Sequence, residues 1–377
     1  MDASETCFGF GIEAEYLIVD EQSKPLFHDD FNFEDFRDFI DAIPVSDFSK
    51  DGLNVKPLHR SASPYLVEGY YLTDSDMKPL QMLVKGLEVR TPLVSTIDAA
   101  VMNLSLLTER AQTYFGNRYQ QQLCAISHHP TESNFYAAPN YKRHDYWQWA
   151  LTAMTTFGPD VNISVPADLV DEIDQVALNE RINFYMPAVI ALTFSSPLFE
   201  SQLWESEGVV GKSIRTFKRS EWAPLYYIHT EPTLRFEFKG FEMPQDLADY
   251  HAFFLIGLSL LLDNQLVEKR TDAERLTVLK ELAIYGIAGR LDTNIYRQQA
   301  ADLLESAERT AVRFGFNYSC LQPLWARLEE LTCPSDLIIQ HFNESHSIEK
   351  TMEFLKVKTL QSAIGAKSLT APALALV

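Results

Sequence analysis

The segment FGFGIEAEYLIVD, Phe8 to Asp20, decides how the rest of the chain is read. Aromatic and aliphatic residues alternate in it with polar ones at period two, the pattern of a β-strand with one wet face. Residues i and i+2 of a strand share a face, so Glu13 and Glu15 project together while Ile12, Ala14 and Tyr16 turn the other way. Two carboxylates on one face are costly to bury without partners; alone, such a pair reads equally as a solvated sheet face or half of a cross-strand ion pair.

Three further segments repeat the pattern. Glu88 and Arg90 alternate in GLEVRTP, Asp160, Asn162 and Ser164 in GPDVNIS, and Arg235, Glu237 and Lys239 in LRFEFKG, each interleaved with apolar residues. Four such strands on one sheet face would repel one another unless cations offset the charge, and hard oxygen donors suit Mg²⁺ or Mn²⁺. Glu13, Glu15, Glu88, Asp160 and Glu237 are therefore the candidate metal ligands. Arg90, Asn162, Arg235 and Lys239 are placed to meet the anionic oxygens of a nucleotide phosphate, the mixture of charges that phosphoryl transfer needs.

Outward from these strands, extended and helical runs alternate up to about residue 245, and the remainder is helical, which argues for an α+β fold. Helices are expected at Phe33–Ile43, from a Ser95 cap to Tyr114, at Tyr141–Thr156, and at Asp168–Phe194 with a kink at Pro187. Later helices are expected at Asp246–Lys269, Asp272–Tyr285, Arg297–Phe314, Pro323–Glu330 and Ser335–Lys358. Besides the four polar strands, extended pieces are expected at Gly52–Pro57, Pro64–Leu72 and Gln121–Ser127, and a hairpin over Leu225–His229 and Thr233–Phe238. The expected organisation is one domain over residues 1–365, sheet-rich to 245 and helical beyond, with a frayed tail over 366–377.

Composition bounds the function. The 377 residues carry 32 basic and 52 acidic side chains, a net charge of −20 that disfavours nucleic acid as a partner. Cys7, Cys124, Cys320 and Cys333 are widely spaced with no C-x-x-C pair, so they read as reduced, mostly buried thiols of a cytoplasmic protein. No signal peptide is expected, and the apolar run from His251 is too short for a bilayer and reads as a buried helix, so no membrane partner is expected either.

The motifs resemble, in order, those of the glutamate–cysteine ligases, particularly the type 2 bacterial carboxylate–amine ligase branch of the glutamine synthetase-like superfamily. GIEAEYLIVD is similar to the opening G-I-E-x-E strand, LEVRTP to the second metal strand, GPDVNISVP to a third and TLRFEFKGFE to the late R-x-E-x-R strand. NFYMPAVIALTFSSPLFE with GKSIRTFKRSEW, and YGIAG at Tyr285, resemble the long helix, its Ser-x-Arg segment and a late helix. The resemblance implies a curved, mainly antiparallel sheet forming a funnel, with helices on its convex side, ATP at one end, glutamate at the other and divalent metals between. It implies Glu13, Glu15, Glu88 and Glu237 as metal-binding carboxylates, with Glu237 and Arg235 at the reacting centre. Asp160 stands where the family usually has His, and Lys239 replaces the second Arg, keeping charge and losing bidentate geometry.

The implied reaction joins the side-chain carboxylate of glutamate to an amine, cysteine being the family's usual acceptor, with ATP cleaved to ADP through an acyl phosphate. A guanidino phosphotransferase of the same architecture, or a non-catalytic nucleotide-binding homologue, is the competing reading; oligomeric state, including a homo-oligomer, is left open. Around the four strands, Lys212 and Arg215 lie in a polar segment suited to covering ATP phosphates, although no P-loop is present. Arg143, His129 and Arg181 are candidate substrate contacts, set against roles at a helix N-terminus, in loop capping and on a helix surface.

Overall fold

Strand β1 (Gly9–Val19) lies inside a seven-stranded sheet, and the strands around it are those that carry the polar pattern. A computed structural model describes residues 7–53, 62–230, 234–290 and 294–357. The strands are β2 (Tyr65–Thr73), β3 (Pro79–Arg90), β4 (Gln122–Cys124), β5 (Pro159–Ser164), β6 (Leu198–Phe199), β7 (Gln202–Leu203), β8 (Glu205–Ser206), β9 (Val209–Val210), β10 (Tyr226–His229) and β11 (Arg235–Phe238). The main sheet runs β10-β11-β5-β1-β3-β2, with β4 on the far end of β1; β6-β7 and β8-β9 are separate two-stranded ribbons, and every pairing is antiparallel.

Register puts the polar residues on one face. Glu13 stands opposite Arg90 on one side and Asp160 on the other, Glu15 opposite Glu88, and Glu237 opposite Asn162. Partners directly opposite in an antiparallel pair share a face. The other face is apolar: Phe10, Ile12, Ala14, Leu87, Val89, Val161, Ile163, Phe236 and Phe238 are all buried.

Eleven helices complete the described part: α1 (Phe33–Asp41), α2 (Ile97–Tyr119), α3 (His144–Ala153), α4 (Gln175–Ala191), α5 (Ile214–Phe217), α6 (Asp249–Leu262), α7 (Asp272–Tyr285), α8 (Asn294–Phe314), α9 (Gln322–Glu330), α10 (Pro334–Ser345) and α11 (Ile348–Leu355). Of these, α2 and α6 pack on the apolar sheet face. Every residue of α6 except His251 is buried, as expected for the apolar run, and no helix among the described residues is long and apolar enough to cross a membrane. Gly257 of α6 lets helix and sheet approach closely, since a Cβ there would lie 2.8 Å from Ile163 Cδ1. One continuous core cluster reaches from Phe10 to Leu355.

Several expected boundaries move for local reasons. Thr96, not Ser95, caps α2, its hydroxyl accepting from the Ala99 amide. The helix expected over 168–194 is a 3₁₀ turn (Ala167–Glu172) followed by α4, because Asp174 caps a fresh start by accepting from Val176 and Ala177; Pro187 lies inside α4. The last helix divides at His346, which takes a left-handed conformation (φ 47°), before Ser347 caps α11. The helix expected over 246–269 is shorter at both ends, and QQLCAIS pairs only over Gln122–Cys124. Of the cysteines, Cys124 and Cys333 are buried and Cys7 is exposed. Most of the extended piece at 52–57 and all of the tail at 366–377 lie outside the described residues.

Candidate active site

Alternation along β1, β3, β5 and β11 delivers the carboxylates to one face in two groups. Oxygens of Glu13, Asp160 and Glu237 lie within 4.8 Å of one another, as do those of Glu15, Glu68 and Glu88. Glu68, on β2, was not among the sequence candidates; its strand, YLVEGYYLT, offers one carboxylate without an i+2 partner. Burial first, then neighbouring negative charge, raises Glu13 (from Glu237), Glu88 (from Glu68) and Asp160, and burial also raises Glu15. Burial would raise Glu237 too, but Lys239 and His229 outweigh it and hold that carboxyl well below the usual range.

Two ammonium groups are set into this face. Lys239 Nζ donates to both Asp160 and Glu237, while His229 Nε2 touches the other oxygen of Glu237. Lys85 Nζ lies 3.0 Å from Glu15 and 3.7 Å from Glu68. Simple alternation places Lys85 on the apolar face, opposite to Glu88. A β-bulge re-aims it: Glu68 pairs with Gly86 and Gly69 with Val84, so Lys85 is the extra residue and its side chain joins the carboxylates, 1% exposed.

The residues suit a hard divalent cation: six clustered carboxylates outnumber the two lysines and two arginines, Arg90 and Arg235, paired with them, and burial penalises the excess negative charge. Asn162, 3% exposed, adds a side-chain oxygen that has no hydrogen-bond partner among the described residues.

Beside the carboxylates is a cavity of about 70 Å³, roomy enough for a carboxyl or phosphoryl group, lined by Lys85, Lys239, Arg215 and Arg219 with Glu15 and Asp160. Arg215 donates to the Gly240, Phe241 and Lys239 carbonyls, and Arg219 to those of Ala223, Pro224 and Lys239. Neither has a carboxylate in ion-pair contact among the described residues, so two buried guanidinium charges face the cavity without a counter-anion. Burial and then Arg215 lower Arg219 to about 9. Gly158 makes room for this arrangement: a Cβ there would lie 2.2 Å from Arg215 Nη2, and its amide donates to Glu15 at 2.9 Å.

The short helix carrying Arg215 is fixed by Glu242, which is fully buried. That carboxylate accepts from the Ser195 amide and from the hydroxyls of Ser196, Ser213 and Thr216. The S-S-P turn and the Ser-x-Arg segment thus converge on the residue that ends TLRFEFKGFE. Nothing in their spacing along the chain signals that they meet.

Comparison with known proteins bears on this arrangement. The family model of glutamate-cysteine ligase family 2 matches residues 10–207. The chain belongs to that family. No curated protein matches it in sequence. Among solved structures, it superposes on glutamate–cysteine ligase from Francisella tularensis, in complex with AMP, with a TM-score of 0.59 at 12% identity, covering 96% of this chain and 91% of that one. A bifunctional glutathione synthetase from Pasteurella multocida gives 0.60 at 12% identity, covering 96% of this chain and 53% of that one, so this chain spans about half its length. At such identity the likeness shows the fold: the glutamine synthetase-like architecture of a curled antiparallel sheet with packed helices. The family match spans Glu13, Glu15, Glu88 and Asp160, while Arg235, Glu237 and Lys239 lie beyond it and are joined to them by strand register.

The other residues singled out from the sequence are distributed unevenly in this family member. Arg235 Nη1 is 3.9 Å from Glu13, and Arg215 lines the cavity. Arg90 positions rather than reaches outward: it is buried, donates to the Leu53 and Ser63 carbonyls and lies 3.5 Å from Glu88. Four others are engaged elsewhere. Lys212 pairs with Asp336 at 2.6 Å; Arg181, buried in the helical layer instead of on a helix surface, donates to Leu260 O. His129 is fully buried, its Nε2 on Leu26 O and its Nδ1 holding Thr131 and Glu132; Arg143 is exposed and stacks on Tyr146.

Proposed function

We propose that the protein is an ATP-dependent carboxylate–amine ligase that joins the side-chain carboxylate of glutamate to an amine through an acyl phosphate. The observation carrying this reading is the juxtaposition of two three-carboxylate clusters with a cavity whose arginines lack a counter-anion. A divalent cation such as Mg²⁺ or Mn²⁺, held by Glu13, Asp160 and Glu237 or by Glu15, Glu68 and Glu88, would offset the charge on two anions as they approach.

The protein's own groups have separate tasks. Arg215 and Arg219 hold an anionic group of the substrates in the cavity. Lys239, fixed between Asp160 and Glu237, and Arg235, beside Glu13, present positive charge where the transferred phosphoryl group and the later oxyanion carry negative charge. Lys85 orients Glu15 and Glu68. No nucleophilic side chain is required, since the substrate carboxylate attacks ATP and the amine attacks the acyl phosphate.

The test is incubation of the full chain with ATP, Mg²⁺, glutamate and a panel of amines including cysteine and the guanidine arginine, reading ADP release and product mass. Amide formation dependent on glutamate is expected, with at least a hundredfold loss of kcat in Glu237→Gln and an unchanged circular dichroism spectrum. A phosphoguanidine product, or no glutamate-dependent ADP release with any amine, refutes the reading.

A further inference from the structure

The small cationic cavity adjoins a larger cleft of about 590 Å³. The two share Trp149, Pro224, Tyr227 and Lys239 as a common wall, so whatever occupies the cleft abuts the carboxylate clusters. Their chemistry is opposite. The cavity has four basic side chains against two acidic ones; the cleft has three carboxylates, Asp145, Glu221 and Glu237, and one basic side chain, Lys239, beside His229. That lysine is already bound to Asp160 and Glu237; among the described residues no arginine lines the cleft, and Arg143 is stacked on Tyr146 of its wall.

The rest of the cleft wall is aromatic. Trp149, Trp222 and Tyr227 border it, and Tyr227 is 38% exposed. Aromatic faces combined with carboxylates attract an organic ammonium by cation–π and Coulomb forces and give a carboxylate nothing to bind. A free α-amino acid would bring its carboxylate into a space lined by Asp145 and Glu221, where the one lysine is already shared by two carboxylates, at a cost of desolvation and like-charge repulsion.

We infer that this cleft is the acceptor site, and that its substrate is a primary amine carrying no carboxylate, with a flat or apolar body that lies against Trp149, Trp222 and Tyr227. The inference rests on the ligase reading for the reaction, and on the cleft alone for the ligand class. In the transfer, the amine nitrogen forms a bond to the acyl carbon and the bond from that carbon to the phosphate oxygen breaks. Of the three ammonium protons, one stays on the amide, one leaves with phosphate as HPO₄²⁻, and one passes to solvent through the open cleft.

The experiment compares amines with their carboxylated counterparts: phenethylamine against phenylalanine, and cysteamine against cysteine. Calorimetric titration of the full chain is expected to show phenethylamine binding at least tenfold tighter than phenylalanine. Trp222→Ala and Glu221→Gln should each weaken phenethylamine binding fivefold or more without lowering the melting temperature appreciably. With ATP, Mg²⁺ and glutamate, kcat/KM should favour each amine over its amino acid at least tenfold. Equal or tighter binding of the amino acids, or phenethylamine binding untouched by both substitutions, overturns the acceptor assignment. Tight amine binding with no glutamate-dependent ADP release would leave the cleft's ligand class standing and remove the ligase reading instead.

Discussion

His129 shows how a residue outside the reaction can set the pH range of the fold. Burial lowers its imidazole from 6.5 to about 4 in the folded protein, so the fold favours the neutral ring. The stability it contributes is fully present above 6.5 and is lost as pH falls toward 4, about 2 kcal/mol by pH 5. His129→Gln should therefore flatten the decline in urea stability between pH 7 and 5; a slope identical to the parent would refute the assignment. The carboxylates of the site act in the opposite sense. Glu13, Glu15, Glu88 and Asp160 are raised, so without a cation the fold gives up stability as pH rises through their range. At this scale the sequence was readable wherever alternation was intact: Glu13, Glu15, Glu88, Asp160 and Glu237 arrive together as expected. It was silent on Glu68, which has no polar neighbour at i+2, and on Arg219 and Glu242, whose meaning depends on loops brought together only by folding.

Between elements, the close approach of the β5 entry loop to α5 carries the cationic cavity. Adding one methyl group in Gly158→Ala puts a carbon 2.2 Å from Arg215 Nη2, which donates to the Lys239 carbonyl while Nη1 donates to that of Phe241, so the guanidinium must shift from these partners. The expected cost is about 1–3 kcal/mol in stability. A rise in KM for glutamate or ATP of tenfold or more should accompany it; unaltered KM values for both would show that Arg215 holds neither. Strand positions and the hairpin of β10 and β11 were legible because each has a strong period-two pattern with turns around it. Helix ends were not, because Asp174 and His346 break continuous apolar periodicity by capping and by a left-handed turn, local events that hydrophobic spacing does not register.

For the molecule as a whole, the clustered carboxylates make stability and cation binding one equilibrium. Mn²⁺ at a hundred times its dissociation constant should add about 2.7 kcal/mol and raise the melting temperature by several degrees, an effect that EDTA reverses. Glu88→Gln with Glu237→Gln should abolish that shift; a shift retained in the double variant would place the cation elsewhere. The fold class was recoverable because four short motifs occurred in order and each lay on one sheet, whereas the proposed acceptor cleft joins β11, one of those strands, to α3, the loop before β10 and β10 itself, segments that share no pattern with it. One consequence concerns the bulge in β3. The strand changes phase at Lys85: on the carboxylate face stand Leu83 before it and Gly86, Glu88 and Arg90 after it. Deleting Lys85 therefore restores a regular ladder and keeps every other side chain on its own side. The ammonium is an insertion in the frame of the sheet, removable as a unit, and a chain shortened there should still fold while leaving Glu15 and Glu68 to be neutralised by metal alone.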